Sequence, residues 1–228
     1  MADPADLASN WGSIVAAIGA LGTAAFGLVD TLKTIPGGGI SYSGFWFIKQ
    51  ALEALFGKEA LQKMPLSRDL DTLLGNWING RPMADQQAIA KSLVKLRLTT
   101  STATALANAT SVDGNQLAEL AKKLTTGESM TPAESNQLGR FDLELTALLD
   151  QAYQRADQCY RNTCKSVAMI FSIALAAIGA YALGFDRFEP EWCLCILAGL
   201  LATPLAPMTK DLTSALTAGV KVAQSIKH

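Results

Sequence analysis

The sequence predicts an all-helical membrane protein with three spans and a helical bundle between the first and the second. Three observations predict it: long charge-free stretches, an excess of Lys and Arg on one side of them, and apolar residues at helical spacing elsewhere. Of the 228 residues, 50% are hydrophobic and 17% charged, against about 25% charged in soluble domains. The balance of 19 Lys+Arg and 20 Asp+Glu gives no electrostatic case for nucleic acid. The lone histidine, His228, excludes a histidine triad and a multi-histidine metal site.

The first charge-free stretch runs for 23 residues from Leu7 to Val29, the second for 20 from Ser166 to Phe185, and the third for 18 from Trp192 to Thr209. A hydrocarbon core needs about 20 apolar residues in helix. The alternative is burial inside a soluble protein. The leader before the first stretch carries Asp3 and Asp6 with no basic residue, unlike a secretory signal, so it is expected to be retained.

Charge orients the spans. Asp3 and Asp6 precede the first, and Asp186, Arg187, Glu189 and Glu191 fill the connection between the second and third. Arg155, Arg161 and Lys165 lead into the second, and Lys210, Lys221 and Lys227 follow the third. Lys and Arg mark the cytoplasmic side. The expected organisation is an N-terminal segment and span over 1–35, a cytoplasmic helical domain over 36–164, a hairpin of spans over 165–209 and a cytoplasmic tail over 210–228. The N-terminus and the acidic hairpin then lie outside an inner or plasma membrane, the C-terminus inside.

Within the inside domain, Pro36-Gly37-Gly38-Gly39 reads as a hinge. A helix is expected over Tyr42–Met64. Its aromatic start, Tyr42, Phe45, Trp46 and Phe47, is either an anchor at headgroup level or the end of a core helix. Ser67 is expected to cap a short helix ending near Gly80, and Pro82 to open another with Ile89, Leu93 and Leu96 on one face. A Thr/Ser-rich stretch follows from Thr99 to Thr110. Asp113 is expected to start a helix that Gly127 ends. Thr131-Pro132-Ala133-Glu134 is a capping box. It opens a long helix continuous into the second span, with Leu138, Phe141, Leu145, Leu148, Ala152, Arg155 and Cys159 at coiled-coil spacing. A break near Gly139 or Asn162 is the alternative.

Residues for chemistry are few. Cys159 with Cys164, and Cys193 with Cys195, are five and two apart, so neither pair shares a helical face suited to a metal. Gly37-Gly38-Gly39 and Ser41-Tyr42-Ser43-Gly44 lack the Gly-Lys-Ser/Thr of a phosphate loop and the strand of a nucleophile elbow. No catalytic role, metal or cofactor is expected.

Asp186, Glu189 and Glu191 are candidates for the outer mouth of a cation pore, because rings of Asp and Glu form around the axis of a symmetric oligomer. Phe185 to Trp192, after a heptad helix, resembles the pore hairpin of the mitochondrial calcium uniporter, a Trp-Asp-x-x-Glu-Pro element between two spans. Phe185 stands here in place of the tryptophan, Arg187 adds a positive charge, and nothing after Trp192 matches. The alternative is a plain acidic outer turn.

Small residues supply helix-packing candidates. Gly12, Ala16, Ala20 and Ala24 form one row in the first span, and Gly19, Thr23 and Gly27 another. The second span offers Ala168, Ser172, Ala176 and Ala180, the third Gly199 and Thr203. The expected partners are the lipid bilayer and further copies or other membrane proteins. The function is then an oligomeric channel, or a non-catalytic scaffold or accessory subunit.

Overall fold

The computed structural model describes residues 4–33, 35, 39–186 and 190–206. Every regular element among them is helical. The order is α1 (Pro4–Lys33), a 3-10 turn (Gly39–Ser41), α2 (Tyr42–Phe56), α3 (Lys58–Leu61), α4 (Leu66–Ile78), α5 (Met83–Leu96), α6 (Ala103–Ala109), α7 (Gly114–Thr126) and α8 (Pro132–Ala182), then α9 (Pro190–Ala206). The chain divides into two units, Met1–Pro36 with Asn162–His228, and Gly37–Arg161. The hinge residues 36–38, Glu189 and the 210–228 tail lie outside the described residues.

The Gly37–Arg161 unit folds around large apolar side chains. Phe45, Ile48, Leu55, Leu73, Leu106, Leu117, Phe141, Leu145, Leu149 and Tyr153 are all buried in one contiguous cluster. Its helix ends follow local chemistry. The Asp113 carboxylate accepts from the Gln116 amide at 2.9 Å to start α7, and Gly127 ends it in the left-handed region at φ 74°, which only glycine enters cheaply. The capping box also forms: the Thr131 amide donates to Glu134 Oε2 at 2.8 Å and the Glu134 amide to Thr131 Oγ1 at 3.3 Å.

Several expected details are corrected. The helix over 42–64 is two helices, because Gly57 takes φ 85° and ends α2 at Phe56. Ser67 lies inside α4, which begins at Leu66 after Pro65, and its hydroxyl donates to Met64 Sδ at 3.2 Å instead of capping. Pro82 precedes α5 with an extended ψ of 135°. The buried face of α5 carries Gln86, Ala90 and Val94, while Leu96 is exposed.

Helix α8 runs 51 residues with no break at Gly139 or Asn162. Up to Arg161 its buried positions are Phe141, Leu145, Leu149, Ala152, Tyr153 and Ala156. The heptad seam drifts off them: Leu148 is half-buried and Arg155 exposed. A straight helix turns about 20° per heptad away from a seven-residue repeat, so a globular core captures a rotating face where a coiled coil would hold a fixed one.

Ion pairs tie the helices of this unit together. Arg97 grips Asp69 through two hydrogen bonds of 2.8 and 3.2 Å. Lys91 and Lys95 both donate to Asp142, at 2.6 and 2.8 Å. Burial pushes the Asp142 carboxyl up, but the two ammonium donors outweigh it and hold the group below its ordinary value of 3.8. A depressed carboxyl contributes stability above its unfolded value and loses it as pH falls through the folded one. Asp142→Asn is therefore expected to cost about 1 kcal/mol at neutral pH, the scale of a partly exposed ion pair. It is also expected to remove the part of the acid destabilisation that begins near pH 3.8 and deepens below it. Urea unfolding of the full chain in detergent at pH 7 and pH 3 checks both.

Candidate functional site

The unit of Met1–Pro36 and Asn162–His228 is built by the opposite rule. Its buried side chains are small: Ala25, Cys164, Ala168, Ser172, Ala176, Ala180, Ala202 and Thr203, with Val29 the one larger member among the described residues. Its large side chains point outward. Ile170 is 65% exposed, Ile178 64% and Leu194 64%, and Ile14, Leu28, Leu183, Leu197, Leu200 and Leu201 are exposed as well. In water each large aliphatic side chain left outside forgoes about 1.5–3 kcal/mol of burial. In hydrocarbon that loss vanishes, and helices associate through the close approach small residues permit.

The seam is tight. A Cβ on Gly22 of α1 would stand 2.5 Å from the Ala202 carbonyl oxygen of α9. One on Gly199 of α9 would stand 2.8 Å from Ala176 Cβ and 2.9 Å from the Ser172 carbonyl oxygen of α8. The Ser172 hydroxyl donates to the Gly199 carbonyl at 2.6 Å, buried. That carbonyl lies one turn before Thr203 and is the usual acceptor for a helical threonine hydroxyl. Thr203 Oγ1 is buried without a partner among the described residues.

The helix-packing candidates therefore separate. Ser172, Ala176 and Gly199 meet across α8 and α9. Gly19 is buried and accepts the Thr23 hydroxyl at 2.8 Å. Thr23 itself is exposed, and a methyl added at Gly27 would have nothing within 4 Å. Ala16, Ala20 and Ala24 face outward too. The face α1 uses is instead Gly22, Ala25 and Val29, which four-residue spacing alone does not select. Their three- and four-residue steps make a helical stripe as good as the rows expected.

The aromatic group at 42–47 also divides. Phe45 is buried in the core of the Gly37–Arg161 unit, which corrects its reading as a headgroup anchor. Phe47 packs partly against that core, and Tyr42 and Trp46 are exposed. Successive helical residues differ by about 100° in direction, so three adjacent aromatics cannot serve one surface.

Of the acidic candidates, Asp186 and Glu191 are exposed, on either side of the undescribed residues 187–189, and Glu189 is among those. All four cysteines are free, and the described residues contain no cluster of three metal-ligating side chains.

Two helices are long and apolar enough to cross a membrane, α1 over Ser13–Lys33 and α8, and α9 is apolar but shorter. At about 1.5 Å per residue α9 reaches about 26 Å, just under the about 30 Å of a hydrocarbon core. No protein-family model, curated protein or solved structure matches the chain.

Proposed function

We propose that the chain is an integral membrane protein with three spans, α1, the apolar end of α8, and α9, whose Gly37–Arg161 unit is a non-catalytic helical domain presented to partners at the inner face. It serves as a membrane scaffold or accessory subunit. The reading is carried by the contrast in burial, small residues inside one unit and large ones inside the other. The first suits hydrocarbon as solvent, the second water. Orientation follows the basic residues Arg155, Arg161 and Lys165 on one side and the acidic 186–191 connection on the other.

Sidedness tests this reading. In a chain stripped of its own cysteines, a thiol introduced as Glu191→Cys is expected to react with a membrane-impermeant maleimide on intact cells. One introduced as Gln158→Cys is expected to react only after permeabilisation. Equal reaction of both on intact cells would end the proposal.

A second reading, an oligomeric cation channel, is favoured by the two exposed carboxylates at the ends of the α8–α9 hairpin. Because the seams within one copy leave no room even for a methyl at Gly22 or Gly199, conduction would run between copies. Planar-bilayer recordings decide it. Asp186→Asn with Glu189→Gln is expected to lower cation conductance several-fold if the carboxylates line the mouth, and silence of the unaltered protein at all voltages leaves the scaffold.

A further inference from the structure

The Gly37–Arg161 unit contains a cavity of about 300 Å³ whose walls include Trp77, Arg81, Met83, Gln86, Asp157 and Arg161. That is the lower end of the size range of small-molecule sites. Tyr160 lines it too, meeting Trp77 edge to ring with centroids 6.2 Å apart and planes at 77°. The indole N–H is committed to the Ser41 carbonyl at 2.8 Å, so the ring is held in place as an apolar wall.

Two arginines, Arg81 and Arg161, line the same cavity. Arg161 shares its charge with Asp157 at 2.7 Å, whereas the Arg81 side chain has no hydrogen-bond or ion-pair partner among the described residues. Gln86 is only 4% exposed. Its amide N–H donates to the Arg81 carbonyl at 2.6 Å, which fixes the amide's orientation and holds this part of the wall, and its Oε1 is closed off behind the wall with no donor among the described residues. The walls therefore call for an occupant that brings negative charge to the arginines, a hydroxyl donor to Asp157, and an apolar body to Trp77 and Met83.

A phosphate ester bearing free hydroxyls matches all three. We propose that this cavity binds the glycerol-phosphate headgroup of an anionic lipid. The inference rests on the membrane reading above. Arg161 lies five residues before the charge-free run that opens at Ser166, and a Trp, Tyr and Arg grouping suits headgroup depth. Guanidinium planes grip phosphate oxygens through paired N–H donors, which makes Arg81 the group on which affinity depends.

The test uses the full chain in neutral detergent, with phosphatidylglycerol, phosphatidylcholine and soluble sn-glycerol 1-phosphate as probes, read by native mass spectrometry and tryptophan fluorescence. Phosphatidylglycerol is expected to bind at least about tenfold more tightly than phosphatidylcholine, and Arg81→Gln to remove about tenfold while Arg81→Lys restores part of it. Because Arg81 pairs with no side chain among the described residues, thermal unfolding of Arg81→Gln is expected to match that of the parent. Equal phosphatidylglycerol affinity in parent and Arg81→Gln overturns the proposal. Glycerol phosphate binding as tightly as the lipid, with the same Arg81 dependence, overturns the lipid as source. Flotation with phosphatidylcholine liposomes reads the membrane proposal separately, since it does not depend on Arg81.

Discussion

Leu197→Arg is expected to prevent α9 from inserting, whereas Leu143→Arg is expected to change almost nothing. Both leucines are exposed, so in a protein surrounded only by water the two substitutions would behave alike, each within about 0.5 kcal/mol. Leu197 lies at the middle of α9. At the centre of a span, arginine costs about 2.5–3.5 kcal/mol and leucine contributes about 0.5 kcal/mol, so the exchange is worth about 3–4 kcal/mol, a shift of two orders of magnitude or more in insertion. Leu143 stands on the outer face of α8 within the water-type unit. The measurement is the side from which a thiol placed after α9 as Lys221→Cys reacts: inside in the parent and in Leu143→Arg, outside in Leu197→Arg. Unchanged sidedness in Leu197→Arg would remove hydrocarbon from the account of this surface.

The parts legible in the sequence are those written in short-range chemistry. Asp113 with Gln116, Gly127, and Thr131 with Glu134 each complete a hydrogen bond or a backbone angle within a few residues, and local spacing is enough to read them. The stripe Ala168, Ser172, Ala176 and Ala180 is legible for a related reason. It is the small face of a stretch whose other faces carry Met169, Ile170, Phe171 and Ile178, so size alone marks the seam. In α1 small residues occupy several overlapping rows, and which row becomes the seam depends on where α9 lies. That is tertiary information, and the rows through Gly19 and Ala20 are as plausible by spacing as the Gly22, Ala25 and Val29 face.

The same limit explains Ser67, Leu96 and the drift of the α8 seam, where periodicity gives a face and the partner helices rotate it. The cavity around Gln86 is illegible for a stronger reason. Ser41, the 77–86 stretch that carries Trp77, Arg81 and Gln86, and Tyr160 come from three separate segments of the chain, and no spacing rule links the three. Gly44 shows it most plainly. It sits in a Ser-Gly run that resembles loop chemistry, yet it is the point where α2 touches α8: a Cβ there would stand 2.5 Å from the Ala156 carbonyl oxygen and 2.7 Å from the Trp77 ring.

Gly22→Ala is expected to destabilise the α1–α9 pairing by about 2–3 kcal/mol, the scale of overpacking against atoms that cannot rotate away. The added methyl would meet the Ala202 carbonyl oxygen at 2.5 Å and carbonyl carbon at 3.1 Å, and Ala206 Cβ at 2.7 Å. Backbone must move, and every other contact along the seam loosens with it. Gly27→Ala, five residues on in the same helix, places its methyl with nothing within 4 Å. Helix propensity alone then acts, adding about 0.5–1 kcal/mol of stability. Unfolding of the full chain in mild detergent, titrated with a denaturing one, reads both substitutions, and equal effects would contradict the seam. Gly27 carries a further distinction, because its open side is where a second copy would dock if the chain assembles through α1. A Gly27→Ala chain that keeps its stability but loses oligomer mass would assign that side of α1 to a neighbouring copy; unchanged mass would leave it to lipid.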